Sequence, residues 1–204
     1  MRTIHLATGN AHKAREMQAL ADASGLALKI ITAAKMPSVI EDAGTFAGNA
    51  RKKAAALKMR LPPEAWVLAD DSGLCVDALG GAPGVESAYY AGPQGDSAAN
   101  LAKLVARMQA VPAAERGAHF TCVLVLFGPN AGEHVFEGNC FGALRREPAG
   151  GAGFGYDPLF VPNGYERTYA ELDAADKNKL SHRACAWQKL AEWLRRTPVQ
   201  SATE

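Results

Sequence analysis

TIHLATGNAHKAREMQALADASGLALKIIT, residues 3–32, reads as strand, helix, strand. Residues 3–7 are a short apolar run broken by TGN. Residues 11–24 then carry apolar positions at helical spacing until Gly25 closes the helix, and residues 26–32 return to a strand pattern. Outward from this unit the alternation continues. Residues 45–60 predict a helix stopped by Pro62-Pro63. Residues 66–69 and 74–78 predict strands around a polar turn, Asp70-Asp71-Ser72-Gly73. Beyond the loop GGAPG, Asp96 or Ser97 caps a helix running to about Gln109. Residues 119–127 and 134–141 predict a hairpin joined by GPNAG. A second Gly/Pro-rich stretch, EPAGGAGFGYDP, precedes a short strand at 159–161. A last helix, capped by Ser181, runs to about Arg196. Strands interleaved with helices, plus one hairpin, make the fold class α/β with a mixed sheet.

Composition narrows the function classes. The 204 residues carry Lys+Arg 22 and Asp+Glu 21, a formal net charge of +1. That near-balance argues against an electrostatic grip on long nucleic acid, so an anionic partner would need a local cluster of cations. Four cysteines (Cys75, Cys122, Cys140, Cys185) stand far apart without zinc-ligand spacing, which predicts reduced thiols and a cytoplasmic setting. The start MRTIHLATGN lacks a signal peptide's apolar core, and the apolar run at 122–127 is far short of the roughly 20 residues of a membrane span. Residues 1–196 are expected to form one domain, and TPVQSATE (197–204) a disordered tail.

Helix faces single out three cations. At about 100° per residue, Lys13 shares a face with Met17, Leu20 and Ser24. Lys53 shares one with Phe46, Ala50 and Leu57, and Arg183 one with Trp187, Leu190 and Leu194. Arg51, Lys52 and Lys58 point outward to solvent. One basic residue on an apolar stripe can simply lay its stem there and reach water. Three of them, two in first turns where backbone N–H groups favour anions, point to a shared polyanion such as a polyphosphate.

The acidic counterpart is Asp70-Asp71. Adjacent carboxylates repel, and a hard cation such as Mg²⁺, which takes one or two carboxylates and fills its shell with water and phosphate oxygens, answers that repulsion. Read alone, DDSG is equally an ordinary turn. Glu41-Asp42 is a further carboxylate source or a plain acidic loop. The run Gly150 to Gly155 fails as a dinucleotide fingerprint because Asp157-Pro158 imposes extended backbone where a helix should open. It reads instead as a mobile loop close to a ligand, with Phe154 and Tyr156 as stacking faces, or as a plain flexible loop.

Six collinear segments together resemble the inosine/xanthosine triphosphate pyrophosphatase family. They are ATGNAHKAREM (7–17), EDAGTFAGNARKKA (41–54), LADDSGLCVDALGGAPGV (68–85), FTCVLVLF (120–127), REPAGGAGFGYDPLFVP (146–162) and DKNKLSHRACA (176–186). The resemblance implies an elongated mixed sheet with flanking helices, two lobes around a central cleft, and a homodimer. It also implies Mg²⁺-dependent hydrolysis of non-standard purine nucleoside triphosphates (ITP, dITP, XTP) to monophosphate and pyrophosphate. Thr8, Gly9, Asn10, Ala11, His12 and Lys13 resemble the triphosphate loop, with Lys53 beside it. Asp71 resembles the catalytic carboxylate, with Asp71, Asp70 and Glu41 around the metal. Ser72, Phe154, Gly155, Tyr156, Asp157, Lys177, His182 and Arg183 resemble further substrate contacts, mostly at base and sugar. Two positions depart from the pattern. The common F-x-E-N-A is here Phe46-Ala47-Gly48-Asn49-Ala50, so a carboxylate is missing, and S-A-R-Y is Ser87-Ala88-Tyr89-Tyr90. Rival readings are a pyrophosphatase for pyrimidine or methylated nucleotides and a non-catalytic nucleotide-binding protein.

Overall fold

Alternation in RTIHL gives the first strand, β1 (Arg2–Leu6), in which Ile4 and Leu6 are wholly buried. It belongs to a computed structural model that describes residues 1–33, 35–129 and 132–197. The other strands are β2 (Leu28–Thr32), β3 (Trp66–Val76), β4 (Gly117–Phe127), β5 (Glu133–Leu144) and β6 (Phe160–Pro162). They form one six-stranded sheet in the order β2-β1-β3-β4-β5-β6. β1 runs parallel to β2, pairing Arg2 with Leu28 and Leu6 with Thr32, and parallel to β3, pairing Ile4 with Trp66. β6 is antiparallel to β5, with Gly142 opposite Pro162. The sheet is therefore mixed, as expected. The helices are α1 (Ala11–Ala23), α2 (Phe46–Lys58), α3 (Ser97–Met108), α4 (Ala174–Leu180) and α5 (His182–Arg196). Among the described residues no helix is long and apolar enough to cross a membrane, and no disulfide forms.

Contacts divide the chain into two compact units. The first comprises residues 1–71, 123–137 and those from 184 on. Its core includes Ala50, Ala54 and Leu57 of α2 with Val67, Ala69, Val123 and Val125. Near its C-terminal end, Trp193 meets Trp66 edge-on at 6.0 Å, and Arg2 donates to the Thr197 carbonyl at 3.0 Å. The second unit comprises residues 72–122 and 138–183. Its core is aromatic, with Phe120 4.9 Å from Phe160 and 5.7 Å from Tyr169, packed among Leu74, Leu104 and Met108.

Four expectations need correction. Asp70-Asp71-Ser72-Gly73 is not a turn: the chain runs straight through it as the middle of β3. Polarity mimicked a turn, but extended backbone sends successive side chains to opposite faces, so two carboxylates can sit in one strand if each finds its own cation. A short helix, α4, precedes the last one; Asp173 caps it by accepting from Asp176 N at 2.7 Å. Lys58 does not point freely to solvent. Half-buried, it donates to the carbonyls of Pro63 (2.8 Å), Ala65 and Gly128 (3.1 Å). Thr197, assigned to the tail, is tied through its hydroxyl to the Trp193 carbonyl at 2.9 Å. The remainder of that tail, 198–204, lies outside the described residues, as do Asn130 and Ala131 of the hairpin turn.

Candidate active site

In the first unit the loop before α1 builds its own helix start. Asn10 is the N-cap, its Oδ1 accepting from His12 N (2.9 Å) and Lys13 N (3.2 Å), while Asn10 N donates to Thr8 Oγ1 at 3.1 Å. This satisfies donors that a helix leaves open and sets Lys13 in the first turn. From there Lys13 Nζ reaches Asp70 Oδ2 at 3.2 Å. Met17 and Leu20 are buried along α1, as the stripe predicted, and Ala21 is buried beside them.

Asp71 faces the other way, to α2. Thr45 caps that helix by accepting from Gly48 N at 3.1 Å. Two side chains one turn apart on α2 then meet Asp71. Lys53 Nζ donates to Asp71 Oδ1 (2.8 Å) and to Glu41 Oε2 (2.7 Å). Asn49 Nδ2 donates to Asp71 Oδ2 at 3.3 Å, while its Oδ1 accepts from Ala43 N at 3.0 Å. Asp70 is 1 % exposed and Asp71 6 %. Lys13 and Lys53, against Glu41, Asp70 and Asp71, leave one negative charge in excess when all are ionised.

Electrostatics here are opposed pulls. Burial pushes the Asp71 carboxyl up, Lys53 and Lys13 draw it down and Glu41 raises it again; the balance is upward. Burial alone would lower the Lys53 ammonium, but the fields of Asp71 and Asp70 and its hydrogen bonds outweigh that, so it holds its proton more firmly than usual. A carboxylate of raised proton affinity beside a firmly charged lysine suits general-base chemistry next to a bound anion. Lys52, on the outer face of α2, pairs with Asp42 and is 44 % exposed.

Metal-holding capacity can be judged from the same donors. Among the described residues no group of three or more His, Cys, Asp or Glu side chains gathers to hold a metal. Asp70 meets Lys13 of α1, whereas Asp71 and Glu41 share Lys53 of α2. Of the three carboxylates expected around a metal, Asp70 is thus taken up by Lys13, and the two that converge, Asp71 and Glu41, would suit a hard cation that takes two carboxylates and completes its shell with water and phosphate oxygens.

The second unit gathers another set. Lys177 Nζ donates to Asp157 Oδ2 at 2.7 Å, with Asp157 3 % and Lys177 7 % exposed. The same Asp157 oxygen accepts from Phe154 N at 2.9 Å. Gly153, at φ +75°, lets it come so close: a Cβ there would lie 2.1 Å from Asp157 Oδ2. Ala152 N donates to the Ala170 carbonyl at 3.1 Å, and Thr168 Oγ1 to that of Ala149 at 2.9 Å. The Gly-rich segment expected as a mobile loop is thus laced down. Phe154 is half-buried, with Lys177 Nζ 5.2 Å from its ring centre. Gly155 takes φ +61° beside it. Tyr156, expected as a stacking face, is 4 % exposed and donates to the Ser87 carbonyl at 2.9 Å, which places its ring in the core. Burial first, and Tyr90 second, push its phenol well above the ordinary range. His182 stacks on Phe120 at 4.8 Å, and Arg183, 1 % exposed, donates to Ser72 Oγ at 2.9 Å.

Asn49 was not among the residues singled out by sequence. Two signals were available: it keeps the N of the F-x-E-N-A pattern, and it stands four residues before Lys53, on the same helix face.

A sequence model of the Ham1 family matches residues 4–193. A dITP/XTP pyrophosphatase of Opitutus terrae is 58% identical over 201 residues, covering 95% of this chain and 99% of its own. One from Streptomyces avermitilis is 46% identical over 198 residues, covering 96% and 98%. Among solved structures, a HAM1 protein from Coxiella burnetii superposes with TM-score 0.84 at 37% identity, covering 97% of this chain and 100% of its own. The Staphylococcus aureus Ham1 protein gives 0.82 at 33% identity, covering 96% and 99%.

Proposed function

This chain belongs to the Ham1 family, and from that premise we propose that it is a pyrophosphatase of non-standard purine nucleoside triphosphates. It converts dITP, XTP and ITP to the nucleoside monophosphate and pyrophosphate. The observation that carries the reading is the Lys53 bridge, one half-buried ammonium between Asp71 and Glu41 at 2.8 and 2.7 Å.

Lys13, Lys53 and the 8–13 loop supply the positive field for the triphosphate. Asp71 orients a water and takes its proton as the water oxygen bonds to phosphorus and the phosphoanhydride breaks, with pyrophosphate leaving. Mg²⁺, held by Asp71 and Glu41, would neutralise charge on the phosphate oxygens. Asp70 keeps Lys13 in place. In the second unit Arg183, Lys177 and His182 offer donors for base and sugar, Phe154 a ring face, and Tyr156 and Asp157 the support behind them. Ser72 anchors Arg183. The near-neutral net charge supports a small-molecule substrate rather than nucleic acid. A cytoplasmic homodimer belongs to the same reading.

Turnover with Mg²⁺ tests it. ITP, dITP and XTP should exceed ATP, dCTP and a methylated triphosphate by about 10²-fold or more, since a site built on buried hydrogen bonds rejects mismatched bases strongly. Preference for the pyrimidine or methylated substrate, or binding without turnover, would overturn it.

A further inference from the structure

Asn49 and Lys53 stand on one face of α2, and each joins the same two pieces of chain. Lys53 links Glu41 to Asp71 Oδ1. Asn49 links the Ala43 N–H to Asp71 Oδ2. Both oxygens of Asp71 are therefore held from one helix, which fixes the rotation of the carboxylate as well as its place. The two rungs differ in kind. Lys53 is a cation that a bound phosphate would compete for. Asn49 is a neutral amide, 1 % exposed, with one end used on each side, so its grip on Asp71 does not depend on where the lysine's charge is engaged.

In this chain a Cβ on residue 48 would lie 2.6 Å from Ala43 Cβ and 2.9 Å from Thr45 Oγ1, so residues 43–45 lie close over Gly48, where the common pattern carries a glutamate. That segment carries the N–H that orients the Asn49 amide. An amide fixed at its oxygen by Ala43 N must present its NH₂ to Asp71, because swapping the ends would set donor against donor at Ala43.

We propose that Asn49 is a positioning residue for the reaction: through its amide, anchored on Ala43, it holds Asp71 in the orientation that receives the proton of the attacking water. The inference rests on the reading of Asp71 as the catalytic carboxylate. It adds a group that acts through Asp71 without touching substrate.

Four variants test it: Asn49→Ala, Asn49→Ser, Asp71→Asn and the double variant Asn49→Ala/Asp71→Asn, each assayed with ITP and Mg²⁺ below its own melting midpoint. Asn49→Ala should lower kcat by about 30-fold or more, since a misplacement near 1 Å can cost 10²-fold. KM for ITP should stay within about threefold, which marks an interaction used in the chemical step rather than in binding. Should Asn49→Ala fail to fold, Asn49→Ser, polar but too short to join Ala43 N to Asp71, carries the test with the same kcat loss at constant KM. In the Asp71→Asn background, adding Asn49→Ala should cost less than about twofold more, because a residue acting through Asp71 is silent once that carboxylate is gone. Wild-type kcat, a rise in KM alone, or an equal further loss in the Asp71→Asn background would overturn the inference. Wild-type turnover by Asp71→Asn would instead overturn the reading of Asp71 itself, whatever Asn49 does.

Discussion

Lys53 is 12 % exposed and touches two carboxylates, whereas Lys52, its neighbour in sequence, is 44 % exposed and pairs with Asp42 on the outer face of α2. One residue of helix rotation thus separates a half-buried bridge from a solvated pair. Lys13 is the corresponding group on α1, 15 % exposed and 3.2 Å from Asp70. Removing a preorganised cation that faces developing charge costs about 10²–10³-fold in kcat, whereas a surface pair contributes little. Lys13→Ala and Lys53→Ala should therefore lose ITP turnover by about that factor, with Lys52→Ala within about twofold of the parent. Steady-state kinetics on the three variants check it; equal losses in all three would leave only a diffuse electrostatic effect. These residues were legible in the sequence because helical periodicity by itself assigns each lysine to an inner or an outer face. Asn49 was not, since a polar residue near a helix start has many ordinary uses and its two partners lie 6 and 22 positions away.

Elements were readable where one pattern governed them and misread where tertiary contacts did. The helix start at Asp96 or Ser97, where the structure puts the cap on Asp96, and the opening strand–helix–strand both follow from local chemistry. β3 was cut in two because four polar and small residues look like a turn; partners on separate helices, invisible in a one-dimensional reading, make them a strand. The Gly-rich segment 150–155 reads as flexible from composition, yet Asp157 fastens it. Gly153→Ala tests that fastening. The new methyl would sit 2.1 Å from Asp157 Oδ2 at a positive φ, so thermal or chemical unfolding should show a loss of about 1–3 kcal/mol. An unchanged midpoint would mean the segment is loosely held. On α2 and β5, Arg51 holds Glu133 at 2.6 Å, and that hydrogen bond chiefly lowers the Glu133 carboxyl below its usual value. A depressed carboxylate contributes stability above its unfolded value and loses it as pH falls through the folded one. Glu133→Gln should therefore cost less than about 1 kcal/mol near neutral pH, given both groups' exposure, and nothing in acid. A cost that grew toward acid pH would contradict the pairing.

At the scale of the whole molecule, balanced charge and a polar cluster in each unit describe a protein whose charged groups of interest are few and largely buried. The second unit's Arg183, 1 % exposed and anchored on Ser72, is the donor best suited to a base acceptor. Hypoxanthine and xanthine present O6 where adenine presents an amino group, and unpaired donors make such sites discriminate. Arg183→Ala should shrink the ITP-to-ATP ratio of kcat/KM by about tenfold or more, a ratio that does not depend on how much of the variant is folded. Equal losses on both substrates would make Arg183 a phosphate or structural group. The chemistry itself is read from the products. With ITP and Mg²⁺, the wild-type protein should release IMP and pyrophosphate in equal amounts from the first turnover, and Asp71→Asn should slow both by about 10²–10⁴-fold while still binding ITP. Release of IDP and orthophosphate, or undiminished pyrophosphate from Asp71→Asn, would contradict the assignment of the Asp71–Lys53–Glu41 cluster to this reaction.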